Sequence, residues 1–201
     1  MGAGSSVEQS PLFVSFIDLV REYNRPLLLE ELWKMEVPKF VRDVDFFSIA
    51  VLLEMDKDGD GRFSVTDLIA FGEMINSESI KFSEAQIGER INGLCVLNFT
   101  RNKSLQSRNL SSWILRLCTD SESETTGTDR VSRDTLTVVH KLLCWGSGRI
   151  RNMSFHDFYK VLSQCDKSTH HTDSVDGKIL ISMLDCMLDH YAALLKKALS
   201  Q

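Results

Sequence analysis

The feature that most constrains this chain is a twelve-residue run, Asp56-Lys-Asp-Gly-Asp-Gly-Arg-Phe-Ser-Val-Thr-Asp67, set between two segments of helical periodicity. Asp56, Asp58 and Asp60 alternate with Lys57 and Gly59, so the run has no apolar face and suits neither an amphipathic helix nor a half-buried strand. Gly61 follows, and a residue without Cβ takes positive φ at little steric cost. The run has to turn sharply. Before it, Phe47, Val51, Leu52 and Met55 form a helical apolar face; after it, Leu68, Phe71, Gly72 and Ile75 recur at helical spacing.

The acids occupy positions 1, 3, 5 and 12 of the run, with glycine at position 6, which is the spacing of a calcium loop. A hard cation takes six to eight oxygens at about 2.3–2.6 Å, so one short segment must wrap it and aim alternate side chains inward. Asp56, Asp58 and Asp60 are the candidate ligands. The Arg62 backbone carbonyl, Ser64 directly or through water, and Asp67 from the next helix complete the set, while Phe63 is the apolar anchor toward a partner loop. Over residues 45–75 the chain closely resembles the EF-hand family, and the resemblance implies a Ca²⁺ site at which Mg²⁺ competes.

A lone hand leaves an apolar face and an unpaired anchor, so mates are expected. Residues 98–109 keep polar groups at the ligand positions with Leu105 at the anchor and no carboxylate, which reads as a pairing loop without metal. Residues 146–157 repeat the flanks of the first hand, with Ser154 and Asp157 standing as Ser64 and Asp67 do, and residues 172–183 form a weaker candidate. The expected fold is all-α and EF-hand-like, with two helical lobes, one intact metal loop and degenerate further hands. An N-terminal lobe spans 11–118, an acidic Ser/Thr linker 119–131, and a degenerate C-terminal lobe 132–201. Apolar spacing predicts helices over 11–22, 27–35, 39–55, 65–75, 83–97, 110–118, 132–145, 154–165 and 177–199.

Residues 1–10 read as a flexible tail. They match the Met-Gly-x-x-x-Ser/Thr pattern for myristoylation of Gly2. One such chain gives only marginal, reversible membrane binding, so the expected membrane contact is transient. With 23 Lys+Arg against 28 Asp+Glu the net charge is −5, and no long basic run offers a phosphate-binding patch. Nucleic acid is not an expected partner. The chain carries no span of about 20 apolar residues and no export-signal layout, which places it in the cytoplasm with peripheral membrane contact.

Five cysteines without a CxxC pair read as reduced core thiols. His170 and His171 read as a solvated loop, and His140, His156 and His190 as helical packing residues. No nucleophile elbow, zinc helix or phosphate-cradling loop is present, so no enzyme is expected. The layout is similar to that of myristoylated sensors of the recoverin and calcineurin-B groups. It implies a non-catalytic Ca²⁺ sensor or adaptor that takes an amphipathic helix of a target protein into a groove lined by Phe47, Leu52, Met55, Phe71, Met74 and Ile75. The alternative is a structural or regulatory subunit with a constitutive Mg²⁺/Ca²⁺ site. The apolar face over 179–199 packs on its own lobe or fills that groove.

Position 12 is Asp67 where the family has Glu, and a side chain one methylene shorter reaches less easily across the cavity. Asp67→Glu is therefore expected to bind Ca²⁺ more tightly than the natural chain, as read by calorimetric titration of both.

Overall fold

The computed structural model describes residues 18, 21–35, 49–79, 84–104, 110–119, 130–146, 153–166 and 173–200. Helices dominate, as the apolar spacing predicts: α1 (Leu29–Lys34), α2 (Ile49–Met55), α3 (Val65–Ser79), α4 (Glu84–Ser104), α5 (Leu110–Leu117), α6 (Arg133–Gly146), α7 (Phe155–Cys165) and α8 (Gly177–Leu199), with short strands β1 (Arg130–Ser132) and β2 (Ser174–Asp176). Every residue of α2 is buried, and so are all of α5 except Ser112 and Arg116. A helix that is apolar nearly all round, as α2 is, belongs inside with other helices around it. Accordingly α2 packs on α4, α3 and α6, and α5 packs on α8 and α6.

The helix starts follow local chemistry. Ser154 accepts a hydrogen bond from the Asp157 backbone N–H (3.1 Å) and donates its hydroxyl to Asp157 Oδ2 (2.7 Å), capping α7. Ser64 and Asp67 make the same two bonds, at 3.1 Å and 2.6 Å, at the start of α3. The sequence match between these pairs is a match in geometry. Asp176 Oδ1 takes the Lys178 N–H at 2.8 Å and starts α8.

Two short antiparallel contacts tie the segments that lead into helices, and they correct the expected pairings. Phe63 exchanges both backbone bonds with Leu27, Leu27 N–H to Phe63 O at 2.9 Å and Phe63 N–H to Leu27 O at 3.1 Å. Leu27 and Phe63 are both fully buried. Leu105, the expected mate, lies outside the described residues, and residues 98–104 are the last turns of α4 rather than a loop. The reason is spacing. Ile91, Cys95 and Phe99 recur every fourth residue and are buried, so the apolar face of α4 runs straight through the polar residues around Asn98.

In the second contact Val131 of β1 faces Val175 of β2, flanked by Arg130 with Asp176 and Ser132 with Ser174. The expected linker 119–131 therefore ends early, because Val131 is an apolar residue that the pairing buries. Residues 120–129 lie outside the described residues, between α5 and β1. The candidate hand at 172–183 is also corrected, since Val175 pairs with Val131 and residues 177–183 belong to α8. Residues 147–152, the ligand-bearing half of the candidate hand at 146–157, lie outside the described residues, as do His170 and His171.

One apolar cluster takes in buried residues from Leu27 to Ala192, so residues of both halves share a core. The last helix, α8, rests on α4, α5, α7 and β2, packing across both halves rather than on the C-terminal one alone. Cys95 and Cys118 are core thiols as expected, whereas Cys165 on α7 and Cys186 on α8 are exposed and Cys144 is half-buried. No helix among the described residues is long and apolar enough to cross a membrane.

Arg130 holds the β1–β2 contact together. Its guanidinium donates to Asp166 Oδ2 (3.0 Å), Ser174 O (2.8 Å) and Ser174 Oγ (2.8 Å), while Asp166 also accepts the Asp176 N–H (3.1 Å). Arg130→Met removes the guanidinium paired with Asp166, whose side chain is only 9% exposed. The expected loss is about 2 kcal/mol of unfolding free energy, read by urea denaturation, with Arg130→Lys intermediate.

Candidate metal centre

Residues 56–67 join α2 to α3, and the turn is shaped by the loop's own acids. The Asp56 N–H still bonds back to Leu52 O (3.0 Å), placing Asp56 at the end of α2. From there its carboxylate reaches forward: Oδ1 accepts the Gly59 N–H and Oδ2 the Gly61 N–H, both at 2.8 Å. Asp58 Oδ1 accepts the Asp60 N–H (3.1 Å), and Asp60 Oδ1 the Arg62 N–H (2.7 Å). Each acid bends the chain after it, as aspartate does in turns. Gly61 has φ +85°, as its position predicts, and Gly59 has φ +75°, which its position did not announce.

This folding gathers like charges. One carboxylate oxygen from each of Asp56, Asp58 and Asp60 lies within 4.8 Å of the others. Asp56 is fully buried, while Asp58 and Asp60 are exposed. Burial pushes the Asp56 carboxyl up from 3.8 to about 6, against the opposing effect of the N–H donors from Trp113 and Gly61. Burial raises Asp60 as well, and the nearby Asp58 and Asp67 charges add to it.

Among the described residues no lysine or arginine pairs with any of the three aspartates; Lys57 turns back to Glu54 (2.7 Å). Two acids near the antiparallel contacts are neutralised in place. The Arg25 guanidinium grips both carboxylate oxygens of Glu31 and holds its carboxyl down at about 2, while Arg130 takes Asp166. The donor set at residues 56–60 thus could hold a hard divalent cation, being oxygen-only, convergent and without an ion-pair partner among the described residues.

The remaining predicted ligands are placed less fully. Asp67 is 5% exposed at the start of α3, where its Oδ2 accepts the Ser64 N–H (2.9 Å) and hydroxyl (2.6 Å); it is not one of the three convergent acids. Arg62 sends its guanidinium away from the acids, donating to Arg116 O (2.7 Å), Thr119 O (2.8 Å) and Gly61 O (3.1 Å). Gly2 and Phe47 lie outside the described residues, as does the side chain of Ile75. Of the predicted groove residues, Leu52, Met55 and Phe71 are core, and Met74 is partly buried against it.

His140 packs among rings, 5.7 Å from Phe155 and 5.2 Å from Phe158 between centroids, with Nε2 2.7 Å from Met153 O. His156 and His190 are exposed rather than packed, since both fall on the outer faces of their helices.

The sequence reading missed the far wall of the site. Trp113, fully buried on α5, donates its indole N–H to Asp56 Oδ2 at 2.6 Å. Arg116 Nη2 donates to Gly59 O at 3.0 Å. A Cβ on Gly61 would stand 2.8 Å from Arg116 Cβ and 3.0 Å from the Arg116 carbonyl carbon, so glycine is demanded by close approach as well as by φ. A separation of 57 residues leaves no local spacing from which these contacts could be read.

No family model, no curated protein and no solved structure matches this chain.

The raised Asp56 carboxyl sets a pH dependence. The ion-free folded chain keeps a proton on Asp56 up to pH about 6, well above the 3.8 of an unperturbed aspartate, and a cation must displace it. Cation affinity is expected to rise as pH increases through that value, and calorimetric titrations with Ca²⁺ at pH 5 and pH 7 check it. The same shift means that, without ion, Asp56 contributes stability below its unfolded value that is lost as pH rises toward about 6.

Proposed function

We propose that this chain is a calcium-binding protein of EF-hand type, acting without catalysis as a Ca²⁺ sensor or adaptor for a target protein. The observation that carries the reading is the uncompensated convergence of Asp56, Asp58 and Asp60 within 4.8 Å, beside two other acid-bearing segments that each carry their own arginine. Asp56, Asp58 and Asp60 would hold the ion, with the Arg62 carbonyl and Ser64 as further oxygens. Asp67 joins them by turning from Ser64 toward the acids. The Leu27–Phe63 bridge supports the reading too, because it supplies the loop's anchor with a backbone partner.

A sensor must expose something when the ion arrives. In sensor hands the two flanking helices open and uncover an apolar groove that takes an amphipathic target helix. Leu52, Met55, Phe71 and Met74 are available for that role only if α2 and α3 part from α4, on which both pack. Myristoylation of Gly2 would add a transient membrane contact, consistent with the one-chain limit on acyl anchoring.

The second reading, a subunit whose constitutive Mg²⁺ or Ca²⁺ site only stabilises the fold, is favoured by one observation. Backbone N–H groups of the loop and the Trp113 indole of α5 themselves hydrogen-bond the acids and fix their positions. An ion of that kind stabilises the folded state by mass action and uncovers no new surface.

The two readings separate in one measurement. Hydrophobic-dye fluorescence of the purified chain is expected to rise on adding Ca²⁺ in millimolar Mg²⁺ if the chain is a sensor. A flat response at saturating metal, with thermal stability increased, identifies the structural subunit.

A further inference from the structure

We infer that Trp113 is a positioning residue for the cation loop, and that through it ion uptake is coupled to the docking of α5. The inference rests on reading residues 56–67 as a divalent-cation loop. It adds the element that would feel the ion: a helix far along the chain, in addition to the two that flank the loop.

The contact is reciprocal. Trp113 lies fully buried in the middle of α5, where an unpaired indole N–H would be costly, and its acceptor is the carboxylate of the first ligand, Asp56, at 2.6 Å. A hydrogen bond to a charged acceptor is among the stronger kinds, so it orients that carboxylate firmly. In the other direction the Arg62 guanidinium leaves the loop and donates to Arg116 O and Thr119 O, carbonyls at the C-terminal end of α5. A positive group is favourable there. Arg116 then returns to Gly59 O, between the second and third acids.

Gly61 closes the joint. Its Cα sits so near the Arg116 backbone that no Cβ fits between them. Movement of Asp56, Gly59 or Arg62 therefore moves a contact of α5. An ion that favours the docked arrangement stabilises it, and by reciprocity docked α5 raises the affinity for the ion. From α5 the contact continues to α8, where Asp185 accepts the buried Ser111 hydroxyl.

The test uses the full chain, titrated calorimetrically with CaCl₂ and separately with MgCl₂, for the natural sequence, Trp113→Phe and Arg62→Met. Phenylalanine keeps an aromatic ring and removes the N–H. The expected result is natural helical circular dichroism for Trp113→Phe with Ca²⁺ affinity weaker by about tenfold or more. Amide exchange over residues 110–119 is expected to slow on adding Ca²⁺ to the natural chain and to lose that response in Arg62→Met.

A third variant, Trp33→Phe with Trp145→Phe, leaves Trp113 as the sole tryptophan, and its emission is expected to change with the midpoint of the calorimetric curve. This variant and Arg62→Met decide the matter should Trp113→Phe not fold. Affinity within about twofold of natural in Trp113→Phe, with silent Trp113 emission and unchanged exchange in α5, overturns the inference alone. Absence of binding of either ion to the natural chain overturns the reading of the loop, and the inference with it.

Discussion

The structure turns on a buried carboxylate. Asp56 ends α2, starts the loop and meets α5 with no exposure to solvent, so it needs hydrogen bonds on every side. Gly59 and Gly61 supply two from within the loop, and Trp113 supplies one from across the core. That single side chain therefore dictates the positive φ of two glycines, the course of the loop and the seat of α5. The burial also costs charge stability, which is why the carboxyl is pushed up and why the acids beside it sharpen the demand for a cation.

The three acid-bearing segments show how a chain can settle the same problem differently. Where Arg25 reaches Glu31 and Arg130 reaches Asp166, an internal guanidinium neutralises the acid and the segment is complete as it stands. Residues 56–60 carry three acids and no such partner among the described residues. The one cationic side chain that follows them, Arg62, is used on the end of α5. Charge balance, more than loop shape, separates this segment from the other two.

Much of this was legible in the sequence. Spacing of apolar residues located the described helices to within a few residues, except the C-terminal end of α4 and the described start of α2, because an amphipathic face is a local pattern. The acids and Gly61 were legible for the same reason, each bond that shapes the turn spanning five residues or fewer. The failures share a cause as well. Asn98 and its polar neighbours looked like a loop because their face of α4 is only part of the helix, while the face that matters carries Ile91, Cys95 and Phe99. Polar composition also carried the expected linker on to residue 131, although one buried valine, Val131, was enough to pair with β2.

By itself the sequence determined the helices, the turn at residues 56–67 and the three acids, Asp56, Asp58 and Asp60, that converge there. These depend on neighbours a few bonds apart, and the chain cannot avoid bringing such residues together. Tertiary structure alone decided that Phe63 pairs with Leu27, that Val131 pairs with Val175, and that Trp113 and Arg116 close the loop from α5. Those partners are distant in the chain and meet only when the shared apolar core forms, since burial fixes which faces touch while leaving no periodic trace of the partner in either segment.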